Sequence, residues 1–312
     1  MHSGRSAAAI AHHAFYFAGG ASKFGKRQND NRPIRLSATS RSNWFSGRSD
    51  SRTLLLIPSL IFLLFIVIPL AAIFLNLNAL RVVVELQNPD VVDAVSLGIL
   101  TSALSTVLSF AFGVPTAYLL ATRNFAGKSL MDALFDVPMV LPPAVAGLAL
   151  LLAFAPRGIL GPELERFGII LPGSTLAVVL SQLFVASPFV LRSSKAAFEN
   201  VDKKLIDSAR LLNPSGFSVF FTVTLPIAAN GVLAGLVMTW ARAMGEFGAT
   251  LMFAGNLPGV TQTMPLAIYM LMAEDPLASN VLSAILVVIS FSILVIFKLL
   301  GRGNKVNRYD QT

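Results

Sequence analysis

Cysteine is missing from all 312 residues. Disulfides, thiolate metal sites and a cysteine nucleophile are thereby excluded. Histidine is nearly missing: His2, His12 and His13 all stand close to the start, so a histidine-based catalytic or metal centre in the rest of the chain is excluded as well. Charge is the third scarcity. Charged residues make up 13% of the chain, where soluble domains carry about 25%. What replaces them is apolar: 54% of the residues are hydrophobic, the balance of an integral membrane protein.

The apolar residues gather into long runs. Crossing the hydrocarbon core takes about 20 of them in a row, and six stretches qualify: Thr53 to Leu75, Val95 to Leu120, Ala133 to Ala155, Ser174 to Leu191, Val223 to Ala243 and Val281 to Leu300. In lipid each backbone amide must find its partner inside its own segment, so these runs predict an all-α integral membrane fold of about six transmembrane helices. They occupy one domain over 53–300, with an extension of 1–52 before it and a tail of 301–312 after it. No room is left for a soluble catalytic domain.

The 24 lysines and arginines give the orientation. Nine precede the first run, two lie at Arg123 and Lys128, five between Arg192 and Arg210, and four from Lys298 onward. Only Arg81, Arg157 and Arg166 lie in the opposite loops, and Arg242 lies inside a run. The positive-inside rule then puts both termini and the segment around residue 205 in the cytosol. The net charge of +8 is read as a topology signal, and nucleic acid is not expected as a partner.

The extension is basic, rich in serine and poor in acid. It reads as an organellar transit segment, a disordered cytosolic arm, or a start codon assigned too early. Gly20, Gly25 and Lys26 have phosphate-loop spacing, but Arg27 stands where the magnesium-holding Ser or Thr belongs and no strand-then-helix context surrounds it. ATP must therefore be handled by another polypeptide.

The stretch the rest is organised around is 195–256. Its first part, 195–222, is the longest polar interruption in the second half, yet Leu205, Ala209 and Leu212 recur at i, i+4 and i+7 as on a short amphipathic helix. Asn213-Pro214 stops that helix. Its apolar stripe either docks into a groove of a partner or packs on its own spans. Further on, Gly231 and Gly235 form a close-packing face for another helix, of this chain or of a second copy. Val137 to Leu148 and Leu225 to Leu236 also read as two faintly similar, proline-led entries into the membrane. Prolines 115, 142, 143, 188 and 226 free carbonyls that need partners, or simply kink their helices.

Asp207, Ser208 and Ala209, then Asn213, then Val223, Leu225 and Pro226 keep the full spacing of the Glu-Ala-Ala, Gly, Ile-x-Leu-Pro pattern of ABC importer permeases. The chain resembles that family over about 53–300. GEFGATLMFAGN, beginning at Gly245, and TQTMPLAIY, from Thr261 to Tyr269, are similar to the molybdate and tungstate permeases and more loosely to the sulfate permeases. The resemblance implies a type I importer permease that works beside a second permease copy in the lipid bilayer. It implies an ATP-binding cassette subunit docked on Leu205, Asp207, Ser208, Ala209, Leu212, Asn213, Leu225 and Pro226, and an extracytoplasmic oxyanion-binding protein. ATP and Mg would belong to the partner subunit, with no cofactor in this chain.

Arg242 and Glu246 stand i, i+4, on one face if the helix continues. A central arginine alone in lipid costs about 2.5 to 3.5 kcal/mol, so the two are expected as a pair. The pair either faces the path of a tetrahedral dianion or locks one helix to another. Thr250, Asn256, Thr261, Gln262 and Thr263 add neutral donors that suit a weak, passing oxyanion site, though loops are also simply polar. The outer loops are net acidic, so no electrostatic funnel for anions is visible.

These features favour the permease of an ATP-driven importer, with molybdate as cargo and sulfate or tungstate as alternatives. An ion-gradient-driven secondary transporter would need titratable groups deep in several spans, and an embedded enzyme lacks any nucleophile or paired carboxylates. The bacterial inner membrane is the expected location, with a plastid inner envelope as the alternative.

Overall fold

The protein is represented by a computed structural model that describes residues 50–212 and 215–303. Expectations for residues 1–49, including the leader and the Gly20–Lys26 spacing, for Asn213, and for residues 304–312 lie outside the described residues. The chain divides into two units, Met1–Leu60 and Ile61–Thr312.

The described residues of both units are helices and their connections. α1 (Asp50–Leu75) is an apolar helix whose side chains from Leu56 to Leu70 are exposed, the surface a lipid-facing helix presents. A short α2 (Ala79–Glu85) is capped by Asn78, whose Oδ1 accepts from the amides of Leu80 and Arg81. α3 (Pro89–Thr122), α7 (Thr175–Glu199) and α10 (Leu225–Met244) pack together at the centre of the second unit. α12 (Met264–Glu274) and α13 (Pro276–Gly303) pack on each other, and α13 also touches α10 and α2.

Small residues permit this close centre. A Cβ at Gly231 would stand 2.4 Å from the Ala197 Cβ, and one at Gly235 would stand 2.7 Å from the Ser193 Cβ. The two glycines therefore bring α10 against α7 of the same chain. Ser193 seals the contact by donating to the Gly231 carbonyl at 2.7 Å. On α3 the buried Thr101, Ser102, Ser105 and Ser109 each donate to a carbonyl three or four residues earlier, which lets hydroxyls sit in an apolar interface without orphaned donors.

Five described helical segments are long and apolar enough to cross a membrane, and a bent pair brings the number to six. That pair corrects the expected third span. Ala133 to Ala155 is two helices, α4 (Lys128–Val140) and α5 (Pro143–Phe154), that meet at 114°. Leu141 and Pro142 are extended between them. Two successive prolines remove two amides and force extended backbone on the residue before each, which one helix cannot absorb. The similar entry at Leu225–Pro226 behaves differently. There α9 (Gly216–Val219) passes through a π turn (Phe220–Thr224) into α10, and the Leu225 amide reaches back five residues to the Phe220 carbonyl. A single proline is accommodated by widening the turn, so this span stays continuous over Gly216–Met244. Leu225 and Pro226 consequently belong to the span helix, which corrects their expected place in the polar loop.

Candidate functional site

Two places on the second unit carry the residues singled out from the sequence. The first is the polar segment after α7. α8 (Lys203–Leu212) is the expected amphipathic helix, but its faces are rotated from the expected stripe. Ile206 is buried, and Ala209 packs half-buried beside it on a cluster that includes Val114, Leu120, Phe198 and Phe220. Leu205 is 51% exposed, and Leu211 and Leu212 are 89% and 90% exposed. Ala209 thus turns inward while the leucines turn outward. The reason is angular: at 100° per residue Leu205 and Leu212 share a direction, and Ile206 and Ala209 centre on another. Asp207 and Ser208 are exposed, and Asp207 makes a loose ion pair with Arg210 at 3.7 Å.

Ion pairs fasten neighbouring elements at this end. Arg192 on α7 engages Asp136 on α4 through both Nε and Nη2, and the Lys195 Nζ lies 2.6 Å from Asp132 Oδ2. α4 has no fully buried residue, so these two pairs supply the specific part of its attachment to α7.

The second place is the far end of α10. Arg242 is in its last turn, but the helix ends at Met244 and Glu246 lies in the turn beyond. The expected shared helical face is corrected accordingly. Glu246 still meets Arg242, with Nη1 and Oε2 2.6 Å apart though without hydrogen-bond alignment. Its Oε1 accepts from the Ala249 amide at 2.8 Å. The carboxylate is fully buried while the Arg242 side chain keeps 29% exposure. Glu246 thus serves the orphan amides at the start of α11 (Gly248–Ala254), a role negative charge fills well at a helix N-terminus.

α11 is wedged between α5 and α7. A Cβ at Gly147 on α5 would stand 2.7 Å from the Ala249 carbonyl oxygen, and Ser181 on α7 donates to that oxygen at 3.5 Å. The next residue on each element is polar and buried: Gln182 after Ser181, and Thr250 after Ala249. Both amide atoms of Gln182 and the Thr250 hydroxyl lack a hydrogen-bond partner, as do Thr239 Oγ1, Asn256 Oδ1 and Thr263 Oγ1. Thr261 differs, since its Oγ1 accepts from the Leu257 amide at 2.8 Å and so works inside its loop. The half-buried Gln262 helps close the same loop through its amide, donating to the Leu257 carbonyl.

The sequence reading missed Gln182. It attended to charges, and an uncharged amide in the middle of the fourth apolar run carries a weaker signal, although burying it unpaired is costly in the same way.

The described residues hold no group of three or more His, Asp or Glu side chains placed to bind a metal. The arrangement offers one half-exposed cation held by a buried acid, together with neutral hydrogen-bonding groups on α7, α11 and the segment before α12.

The family model for binding-protein-dependent transport system inner membrane components matches residues 111–306. The chain is 40% identical over 224 residues to the molybdenum transport system permease protein ModB of Haemophilus influenzae, covering 68% of this chain and 98% of the relative. It is 36% identical over 247 residues to the molybdate/tungstate transport system permease protein WtpB of Pyrococcus furiosus, covering 77% and 91%. Among solved structures, a bacterial alginate ABC transporter in complex with an alginate pentasaccharide-bound periplasmic protein superposes with a TM-score of 0.67 at 16% identity, covering 84% of this chain and 98% of that one. The helical architecture, the spans and the matched family agree: the chain belongs to the family of binding-protein-dependent transport system inner membrane components, and is an integral membrane permease subunit of an ABC transporter.

Proposed function

We propose that this permease, paired with a second copy, forms the membrane path of an ATP-driven importer for a tetrahedral oxyanion, and that molybdate is its cargo before tungstate or sulfate. The cargo assignment rests on the likeness to permeases named for molybdenum and for molybdate/tungstate. The observation that carries the site is the set of buried polar groups around α11: Gln182, Thr250 and Thr263 offer hydrogen-bonding groups with no partner in the chain. Neutral donors hold a dianion weakly enough for it to leave, and Arg242, part-exposed and tempered by Glu246, supplies one attractive charge. Asn256 and Gln262 extend the set, whereas the Thr261 hydroxyl is committed to its loop.

ATP and Mg are held by a separate ATP-binding cassette subunit in this scheme. That subunit docks on the outward leucines of α8, Leu205 and Leu212, with Asp207 and Ser208 beside them, in the helix-in-groove mode. Because Ile206 and Ala209 fix α8 to the ends of α3, α7 and the π turn, movement of the partner is transmitted to the spans. An extracytoplasmic binding protein delivers the anion, which suits outer loops without positive charge. Both termini and α8 face the cytosol.

The test is uptake of labelled molybdate in a strain without its own transporter, expressing this chain with its cognate ATPase and binding protein. Uptake that requires the ATPase, survives excess sulfate and falls about tenfold or more in Gln182→Leu, by loss of a hydrogen bond to a charged group, is the expected result. Uptake without the ATPase would sink the coupling scheme in favour of a gradient-driven carrier. Abolition by equimolar sulfate would overturn the cargo assignment alone.

A further inference from the structure

A cleft of about 400 Å3 opens between the end of α3 and the α9–π segment, within the range of ligand sites. Its apolar lining is Pro115, Tyr118, Leu119, Phe217, Phe220 and Phe221. Among the described residues its charged lining is two arginines, Arg123 and Arg210, and no carboxylate lines it. Arg123, just past α3, is exposed and meets no acidic partner among the described residues. Arg210 has only the 3.7 Å contact with Asp207, itself 71% exposed.

The floor is open as well as apolar. Phe217 is 76% and Phe221 48% exposed, and their rings stack at 4.6 Å beside the π turn. Leu119 continues the exposed apolar flank of α3 into the cleft. The site therefore lies where a span ends, with aromatic rings and cations at headgroup level.

We propose that this cleft binds one anionic phospholipid, its phosphodiester between Arg123 and Arg210 and an acyl chain along Leu119, Phe217 and Phe221. Two guanidinium groups free of close acids match a phosphodiester in charge and geometry. A zwitterionic headgroup would bring an ammonium into a cleft with no carboxylate to receive it. A soluble inorganic anion would leave the aromatic floor unused. Basic pockets among spans are known physical solutions for acidic headgroups. Because Arg210 is on α8 and Arg123 at the end of α3, the lipid bridges the two elements and makes the seating of α8 depend on membrane composition.

The experiment is native mass spectrometry of the intact transporter, permease with its ATPase subunits, in mild detergent with added phosphatidylglycerol or phosphatidylcholine. The wild-type permease is expected to retain phosphatidylglycerol and not phosphatidylcholine. Retention should fall roughly fivefold for Arg123→Gln and again by roughly that factor when Arg210→Gln is added. The same spectra report whether the ATPase is still bound, so loss of lipid is separated from loss of assembly. Equal retention of the two lipids, or undiminished phosphatidylglycerol in the double variant, would overturn the proposal. A benzoylphenylalanine photoprobe at Phe217 adds an independent reading: a lipid adduct supports the site, and an adduct with the ATPase shows that protein fills the cleft instead.

Discussion

Glu246 carries two bonds at once, and replacing it in two ways separates them. Glu246→Ala removes the acceptor of the Ala249 amide and strands Arg242, whose guanidinium lies 2.6 Å from Oε2. Breaking a buried pair by removing one partner costs about 3 to 5 kcal/mol. Arg242 keeps 29% exposure and water can recover part of that, which places the expected loss toward the lower end. Glu246→Gln has the same shape and keeps a carbonyl oxygen for the Ala249 amide; it loses only the charge facing Arg242. A hydrogen bond to a charged group is worth about 1.5 to 3 kcal/mol, so the glutamine variant should fall by roughly half as much as the alanine variant. Arg242→Gln alone leaves a fully buried carboxylate without its cation. The double variant Arg242→Gln with Glu246→Gln removes both charges together and should cost less than the two single changes summed, by about 0.5 to 3 kcal/mol of coupling. Unfolding of the purified permease complex by graded denaturing detergent measures all four proteins under one condition. If glutamine and alanine at 246 are equally damaging, the bond to the Ala249 amide contributes nothing. If the single effects simply add, the ion pair is not a unit.

Three further changes probe the rest of the architecture. Leu212→Lys exchanges a 90% exposed side chain, so stability should stay within about 0.5 kcal/mol while the ATPase subunit stops copurifying; retained ATPase would remove α8 from the docking surface. Gly231→Leu drives a side chain into Ala197, where even a Cβ would stand 2.4 Å away, and should cost at least about 1 to 3 kcal/mol in the same unfolding assay, with Gly216→Ala, which meets nothing within 4 Å, as the neutral control. Asp136→Asn breaks a pair whose arginine side chain is 57% exposed, so global stability should change by less than about 1 kcal/mol. Hydrogen exchange over 128–140 should nevertheless speed up at low salt, and an acceleration that persists at high salt would contradict an electrostatic fastening.

The spans were legible because hydropathy over some twenty residues reports a bulk solvent preference that tertiary detail does not erase. Orientation signals were legible for a similar reason: Arg123 and Arg81 fall at opposite ends of α3 and its preceding loop because charge avoids the hydrocarbon. What eluded the sequence was local geometry. Pro142-Pro143 and Pro226 looked alike as proline-led entries, yet one breaks the chain by 114° and the other widens a single turn. The number of missing amides and the backbone angles before each proline decide that outcome, and periodicity does not carry them. The stripe on α8 was found in kind and misplaced in angle, since Ile206 was left out of it and Ala209 was grouped with outward leucines. Arg242 and Glu246 were rightly paired, but the helix that was to hold both on one face stops between them at Met244.

The hydroxyl inventory explains why Gln182 weighs more than the many serines. On α3 a Ser or Thr reaches its own helix three or four residues back, as Thr101 does to Leu97 at 2.8 Å and Ser109 to Ser105 at 2.7 Å, so such residues can line an apolar contact with no outside partner. A glutamine amide presents two donors and an acceptor on a longer arm, and here neither end finds the helix backbone or a neighbouring side chain. A buried group in that condition costs about 1 to 3 kcal/mol. A leucine at position 182 would avoid the cost and gain burial besides, so stability alone does not account for the amide. Its neighbour Ser181 reaches across to Ala249, the residue whose amide Glu246 holds, which puts the glutamine next to the one buried carboxylate at the end of α10. Polar capacity that the chain leaves unused, set beside the start of α11, is what a path needs if its cargo is to exchange water for protein and then leave.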